Sequence, residues 1–274
     1  MLTAIKKIPV VRALAIERHR LRRILRWYFG KAKFAMTKIG ADLPYKVFHH
    51  KSLLLRKLGN ADMRLQHNKV TNLRLAAATM NNTTILPGET FSLWKLVGRP
   101  TAKRGFLTGM LLSNGEVIEG VGGGLCQIAN LLYWMALHSP LTVTERYRHS
   151  YDVFPDSGRV LPFGSGATIF YNYVDLQFRN DTQIAFQLKV WVEGDFLRGE
   201  LRSDQTLKES YSVMERDHRF LHHKLTDTYY RENVLFQRVT NKQTGNLISD
   251  KLICANHSEL KYLPPVDVEV IEVE

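Results

Sequence analysis

The sequence predicts an α+β fold in which an antiparallel sheet packs against a central helix carrying Cys126 at its N-terminus, preceded by a basic helical N-terminal extension. Three observations predict it. Ile128, Leu131, Leu132, Met135 and Ala136 recur at helical spacing behind Cys126 and stop at Ser139-Pro140. Ile184, Phe186, Leu188, Val190 and Val192 alternate with Ala185, Gln187, Lys189 and Trp191, the period of a strand with one buried face. The charge is skewed: residues 1–60 hold 15 Lys/Arg against Glu17 and Asp42, a balance of +13, whereas the other 214 residues sum to −1. These shifts divide the chain into a basic extension (1–60), a central domain (61–203) and a β-rich C-terminal portion (204–274) that can belong to the same domain.

Residues 11–29 place Arg18, Arg20, Arg22, Arg23 and Arg26 among Leu14, Leu21, Ile24, Leu25, Trp27, Tyr28 and Phe29. A basic amphipathic helix with interfacial aromatics suits an anionic membrane surface, while an ordinary helix packed on the domain with its arginines in water is the plainer alternative. Nucleic acid is not expected, since no zinc spacing, RNP motif or DNA-reading motif is present. Ile8 to Ile16 is too short and too charged for a secretory core, and no stretch reaches the roughly 20 apolar residues of a spanning helix. The chain therefore reads as cytoplasmic, with a peripheral place at the inner face of the membrane open to it.

Between Gly30 and Asn60 the pattern is weak, and His49-His50-Lys51 reads as a solvated loop entering a helix. Asn60 to Met80 is helical, with Leu65, Val70, Leu73, Leu75, Ala76 and Ala77 as its apolar face and Asn81-Asn82 ending it. Leu86-Pro87-Gly88-Glu89 is a turn, and Phe91, Leu93, Trp94 and Leu96 follow as core. Asn114-Gly115 between apolar runs marks a hairpin that delivers the chain to Gly120. Gly120-Val121-Gly122-Gly123-Gly124-Leu125-Cys126-Gln127 then places a thiol in a helix's first turn. Free N–H groups and the positive end of the helix dipole favour a thiolate there, so a lowered pKa is expected for Cys126. The glycines leave the approach to the sulfur clear, and their N–H groups suit an oxyanion; the alternative is inert packing of a buried cysteine. No G-x-G-x-x-G or P-loop occurs, and Leu132 stands where a phosphatase-like loop needs arginine.

Val143 to Tyr147, Ala167 to Tyr171, Val174 to Phe178, Ile184 to Val192 and Phe196 to Leu201 read as strands, the last four as a meander. Tyr229 to Val239 and Leu247 to Ile253 add two more. Two cysteines exclude a disulfide scaffold, and the C-x-x-H of Cys254 and His257 has no companion motif to complete a zinc site, so neither metal nor cofactor is expected.

Asn81-Asn82-Thr83-Thr84-Ile85-Leu86-Pro87-Gly88-Glu89-Thr90-Phe91-Ser92, the Gly120 to Gln127 run, Glu145-Arg146 with His149-Ser150-Tyr151, and Asp175-Leu176-Gln177-Phe178-Arg179-Asn180 together resemble the VanW domain family over roughly residues 78 to 203. The chain looks closest to the branch found in glycopeptide-resistance gene clusters. The resemblance implies a bacterial protein linked to the cell wall; some members are associated with L,D-transpeptidation of peptidoglycan through the domain's cysteine. Many members of that family have an Asp before the Ala-Thr-[VI] strand, where this chain has Gly166.

Two functions follow as expectations. The first is a cysteine-dependent acyl transferase or amidase acting on a peptidoglycan peptide or precursor. Cys126 is its nucleophile, His149 its base, and Gln127 assists beside the amides of Gly124 to Gln127. Gly122, Gly123, Gly124, Arg104 and Tyr151 are the candidate substrate contacts, and Asp152, Asp156 or Asp175 the candidate orienting carboxylates. The second is a non-catalytic module that binds wall precursors or a partner resistance enzyme.

Overall fold

The computed structural model describes residues 9–56, 62–113, 115–155 and 160–274. Its first half runs α1 (Pro9–Phe29), β1 (Lys33–Phe34), β2 (Tyr45–Leu53), α2 (Met63–Met80), β3 (Thr83–Ile85), β4 (Glu89–Ser92), α3 (Leu93–Val97), β5 (Thr108–Ser113), β6 (Glu116–Val121) and α4 (Cys126–Leu137). The second half is nearly all strand. It contains β7 (Thr142–Glu145), β8 (Tyr151–Asp152), β9 (Gln177–Arg179), β10 (Phe186–Glu193), β11 (Phe196–Ser203), β12 (Glu209–His223), β13 (Thr228–Asn241), β14 (Leu247–Leu260) and β15 (Val270–Val273). The fold is α+β, and the central helix begins at Cys126 as the periodicity requires.

The sheet in the order β2-β11-β10-β3 carries the helices. Its β10–β11 hairpin turns at Gly194, whose φ of +53° suits glycine. α4 packs across β2 and β11, and α2 against β10 and β5. Close packing of α4 depends on Gly199 in β11: a Cβ there would lie 2.4 Å from Met135 Sδ and 2.7 Å from a Leu131 methyl. Ile128, Leu131, Leu132 and Met135 of α4 join Leu73, Met80, Ile85, Phe186 and Leu188 in one buried cluster. A second sheet, β1-β4-β9-β7, covers that core and stacks Phe91 on Phe178 with ring centres 4.5 Å apart. The long hairpins at the C-terminus form β15-β12-β13-β14-β8.

Three expectations need correction. Residues 45–53 are a strand, not a loop, because their inward residues pair along the full length of β11. β9 does not continue a meander into β10 but lies between β4 and β7, since its short reach is satisfied there by Phe91 and Val143. Ala167 to Tyr171 makes only isolated bridges, Tyr147 with Thr168 and Phe170 with Val174. Among the described residues of the 1–60 segment, β1 and β2 are built into the sheets. The hairpin before Gly120 is β5–β6, with Gly115 at φ +81° and Asn114 outside the described residues.

Candidate functional site

Leu125 caps α4 without a side-chain hydrogen bond, so the first-turn amides turn inward: Gln127 N–H donates to the Gly124 carbonyl at 3.2 Å and Ile128 N–H to that of Leu125 at 3.2 Å. Cys126 is half-buried and packs against the hydrophobic cluster. Burial pushes its thiol pKa up, not down as the helix position predicts; the amides of Ile169 and of Cys126 itself act in the opposite direction. Both cysteines of the chain are free thiols.

The glycine run is packed shut on the side of α2 and β5. Gly122 N–H donates to the Leu107 carbonyl at 2.9 Å, Gly123 N–H to Gly120 at 3.1 Å and Gly124 N–H to Met110 at 2.8 Å. A Cβ on Gly123 would stand 2.1 Å from the Gly109 carbonyl carbon, and one on Gly124, at φ +89°, 2.2 Å from Lys69 Cγ. These glycines therefore serve close approach of backbone to backbone and of backbone to the lysine stem. On this side the space that missing side chains leave at Gly123 and Gly124 is filled by Gly109 and Lys69.

Opposite the sulfur, the segment 164–169 is held by α4 and by Arg146. Asn130, one turn after Cys126, accepts from Ala167 N–H at 2.7 Å, and a Cβ at Gly166 would come 2.9 Å from its Oδ1. Arg146 donates to the carbonyls of Gly164 and Gly166 and lies 4.9 Å above the Tyr133 ring. These contacts set Ile169 N–H against the thiol. His149, three residues after Arg146, is half-buried. Burial lowers its pKa, Arg146 adds to the effect and Asp152 opposes it, so the imidazole is neutral near pH 7. Asp152 is thus the candidate carboxylate that acts on His149, though its Oδ2 also accepts from Tyr262 at 2.9 Å and Arg231 at 3.4 Å. Among the described residues, no hydrogen bond or charge interaction joins His149 to the Cys126 sulfur.

The other expected site residues are spread out. Gln127 reaches away to β2, donating to Ser52 Oγ at 2.9 Å and the Leu53 carbonyl at 2.8 Å. Arg104 commits its guanidinium to the carbonyls of Arg99 and Val97, each at 2.7 Å. Tyr151 sits under the β5–β6 turn at Gly115, with Lys261 Nζ 4.4 Å from its ring centre. Asp175 is fully buried, accepts from Ser92 Oγ at 2.6 Å and Trp94 N–H at 3.0 Å, and is pushed up to about 6 mainly by desolvation. It satisfies the first turn of α3. Asp156 lies outside the described residues. Among the described residues, no group of His, Cys, Asp or Glu is arranged to hold a metal ion, and no helix is long and apolar enough to cross a membrane.

Sequence reasoning missed the polar stripe of α2. Gln66, Lys69 and Asn72 are buried at helical spacing beside Leu65, Leu73 and Ala76. Asn72 donates to the carbonyls of Leu107 and Gly123 and accepts from Leu107 N–H, which ties β5 to the glycine run. Lys69 donates to Gln66 Oε1 at 2.6 Å, and desolvation first, then Arg56, brings its pKa down to about 8. The signal was present as polar residues at 66, 69 and 72, positions that continue the apolar stripe.

A family model described as VanW like protein matches residues 68–202. The vancomycin B-type resistance protein VanW of Enterococcus faecalis is 33% identical over 244 residues, covering 89% of this chain and 88% of that protein. An uncharacterized Bacillus subtilis protein, YoaR, is 33% identical over 109 residues, 40% of this chain and 34% of its own length. No solved structure gives a significant match. The resemblance carried by the Asn81, Gly120, Glu145 and Asp175 motifs thus extends to nearly the whole chain, which belongs to the VanW family.

Proposed function

We propose that this protein acts in vancomycin resistance as a module that binds a peptidoglycan peptide or a wall precursor at the inner face of the membrane, without covalent chemistry at Cys126. The observation that carries this reading is the commitment of amides around the would-be oxyanion site: Gly124 and Gln127 donate theirs to backbone carbonyls, as do Gly122 and Gly123 just before them. An enzyme of the acyl-transfer kind needs such donors free and aimed at the developing oxyanion. A thiol raised by burial is also the wrong starting point for a nucleophile. The resistance role is inferred from the Enterococcus relative.

A second reading keeps the sulfur as a nucleophile, and one arrangement favours it. Ile169 N–H faces the thiol, and a neutral His149 with Asp152 beside it lies on the adjoining segment. In that reading the imidazole takes the thiol proton, the sulfur attacks a peptide carbonyl, and the proton leaves with the expelled amine.

Alkylation by iodoacetamide near neutral pH, followed by intact mass, separates the two. The binding reading expects Cys126 to label more slowly than glutathione, at a rate His149→Ala leaves unchanged, while Cys126→Ala retains muropeptide binding by calorimetry. Rapid labelling slowed by His149→Ala, together with sulfur-dependent cleavage or cross-linking of muropeptides, refutes it.

A further inference from the structure

α1 has two faces, and only one of them is used by the fold. Ile16, Arg20, Arg23, Ile24 and Trp27 face the domain: Arg20 Nε donates to the Tyr171 carbonyl at 3.0 Å, Arg23 grips the Glu145 carboxylate, and Trp27 packs on the hydrophobic cluster. The opposite face carries Leu14, Leu21, Leu25, Tyr28 and Phe29, between 45% and 83% exposed, with one contact back to the fold, Lys95 Nζ at 4.8 Å from the Tyr28 ring centre. At about 100° per residue, Leu14, Leu21 and Leu25 fall within ~40° of one another, so they form one stripe parallel to the helix axis. Arg18, Arg22 and Arg26 run along its flank, exposed, and among the described residues none of them pairs with a carboxylate. Exposed Lys31, Lys33 and Met36 continue the same character past the helix end.

We infer that this outward face of α1 is a docking surface for a bilayer containing anionic phospholipid. A contiguous apolar stripe left in water on an otherwise docked helix marks an interaction surface. Its charge selects the occupant. The stripe is edged by unpaired arginines on one side and ends in two aromatics, and the first 60 residues carry +13 while the rest of the chain carries −1. Apolar side chains inserted at the acyl boundary, cations at the headgroups and aromatic rings at the interface are the three contacts an anionic bilayer offers a helix lying in its plane. A second copy of the chain would instead bring arginine against arginine across a symmetric contact. Because the inner face of α1 is fixed by Arg20 and Arg23, binding would hold the domain in one orientation against the surface. The inference is independent of any chemistry at Cys126.

Co-sedimentation of the full chain with vesicles tests it. Phosphatidylcholine vesicles are compared with vesicles of equal parts phosphatidylcholine and phosphatidylglycerol, with Cys126→Ala as a variant expected to bind unchanged. The chain should partition onto the anionic vesicles and be released by high salt. Arg18→Gln/Arg22→Gln/Arg26→Gln should weaken partitioning on the order of a hundredfold, the product of three surface cations near an anionic leaflet. Leu14→Ser/Leu21→Ser/Leu25→Ser should weaken it as well, with the thermal midpoint of both variants unchanged because these side chains touch solvent. Equal partitioning onto neutral and anionic vesicles, or none, overturns the proposal. So does self-association in light scattering that the leucine variant abolishes while vesicle binding is absent.

Discussion

At Cys126 two effects oppose each other, and their magnitudes decide the outcome. A helix N-terminus offers a thiolate about 0.3–1 kcal/mol at an exposed site, whereas burial of an ionisable group shifts its pKa by up to about 3–5 units, each worth roughly 1.4 kcal/mol. The sequence displays the helix start but not the depth of the sulfur, so the direction of the shift was not legible from it. The same holds for Lys69, which the fold buries with its ammonium donating to Gln66. Its lowered pKa has a testable sign. Between about 8 and the ordinary lysine value of 10.5 the unfolded chain binds the proton more tightly than the folded one, so stability contributed at this site rises with pH through that window. Below about 8 the full penalty of the buried charge is present. Lys69→Met, which keeps the stem against Gly124 and removes the ammonium, should therefore gain on the parent most near pH 7. The difference in urea unfolding free energy should shift toward the parent by up to about 3 kcal/mol as pH approaches 10. A difference that stays flat across that range would show that Lys69 titrates as it does in water.

Elements with a strong period were legible, and those held by distant partners were not. α2, α4, the β5–β6 hairpin and the β10–β11 hairpin announce themselves through spacing and turn residues. β2 does not, because His49, His50 and Lys51 interrupt its pattern and its place is fixed by pairing with β11, remote in sequence. The docking of α1 was ambiguous for a related reason: six arginines on one helix say nothing about which of them find a carboxylate. Arg23 does, and the pair is largely out of water, with side-chain exposures of 9% and 17%. Glu145 Oε1 also accepts from Asp175 N–H at 3.1 Å, and buried Asp175 lies within charge range of the same guanidinium. Removing one partner of a buried pair leaves the other charge uncompensated, at about 3–5 kcal/mol. Arg23→Ala should therefore lower the thermal midpoint by roughly 6–12 °C for a chain of this size. Arg23→Ala/Glu145→Ala should recover part of the loss. A single variant within about 1 °C of the parent would mean that Arg20 and the packing of Trp27 hold α1 without the Arg23 pair.

On the scale of the molecule, the C-terminal hairpins could have been a separate unit, since the family match ends at residue 202. The contacts argue otherwise. β8, from the segment that carries His149, pairs in parallel with β14 through Tyr151 with Glu259 and Asp152 with Leu260. Gln237 of β13 donates to the carbonyls of Leu137 at 2.8 Å and Ser139 at 3.3 Å, satisfying the end of α4. Asn233 donates to the Phe163 carbonyl at 2.8 Å and accepts from Asn256 at 2.7 Å, both asparagines being buried. Arg148 donates to the Ala255 carbonyl at 3.0 Å. Parting the sheet from the core would strand several of these groups, each at about 1–3 kcal/mol, so separation costs about as much as unfolding itself. The chain is therefore expected to lose its structure in a single transition. Its four tryptophans all lie before residue 204, so their fluorescence reports the core, while the long strands β12, β13 and β14 contribute much of the far-UV circular dichroism. Urea midpoints from the two signals should coincide within error. A loss of strand signal at a lower urea concentration, with tryptophan emission still native, would show that the C-terminal sheet detaches first and that the polar contacts around Asn233 do not couple it to α4.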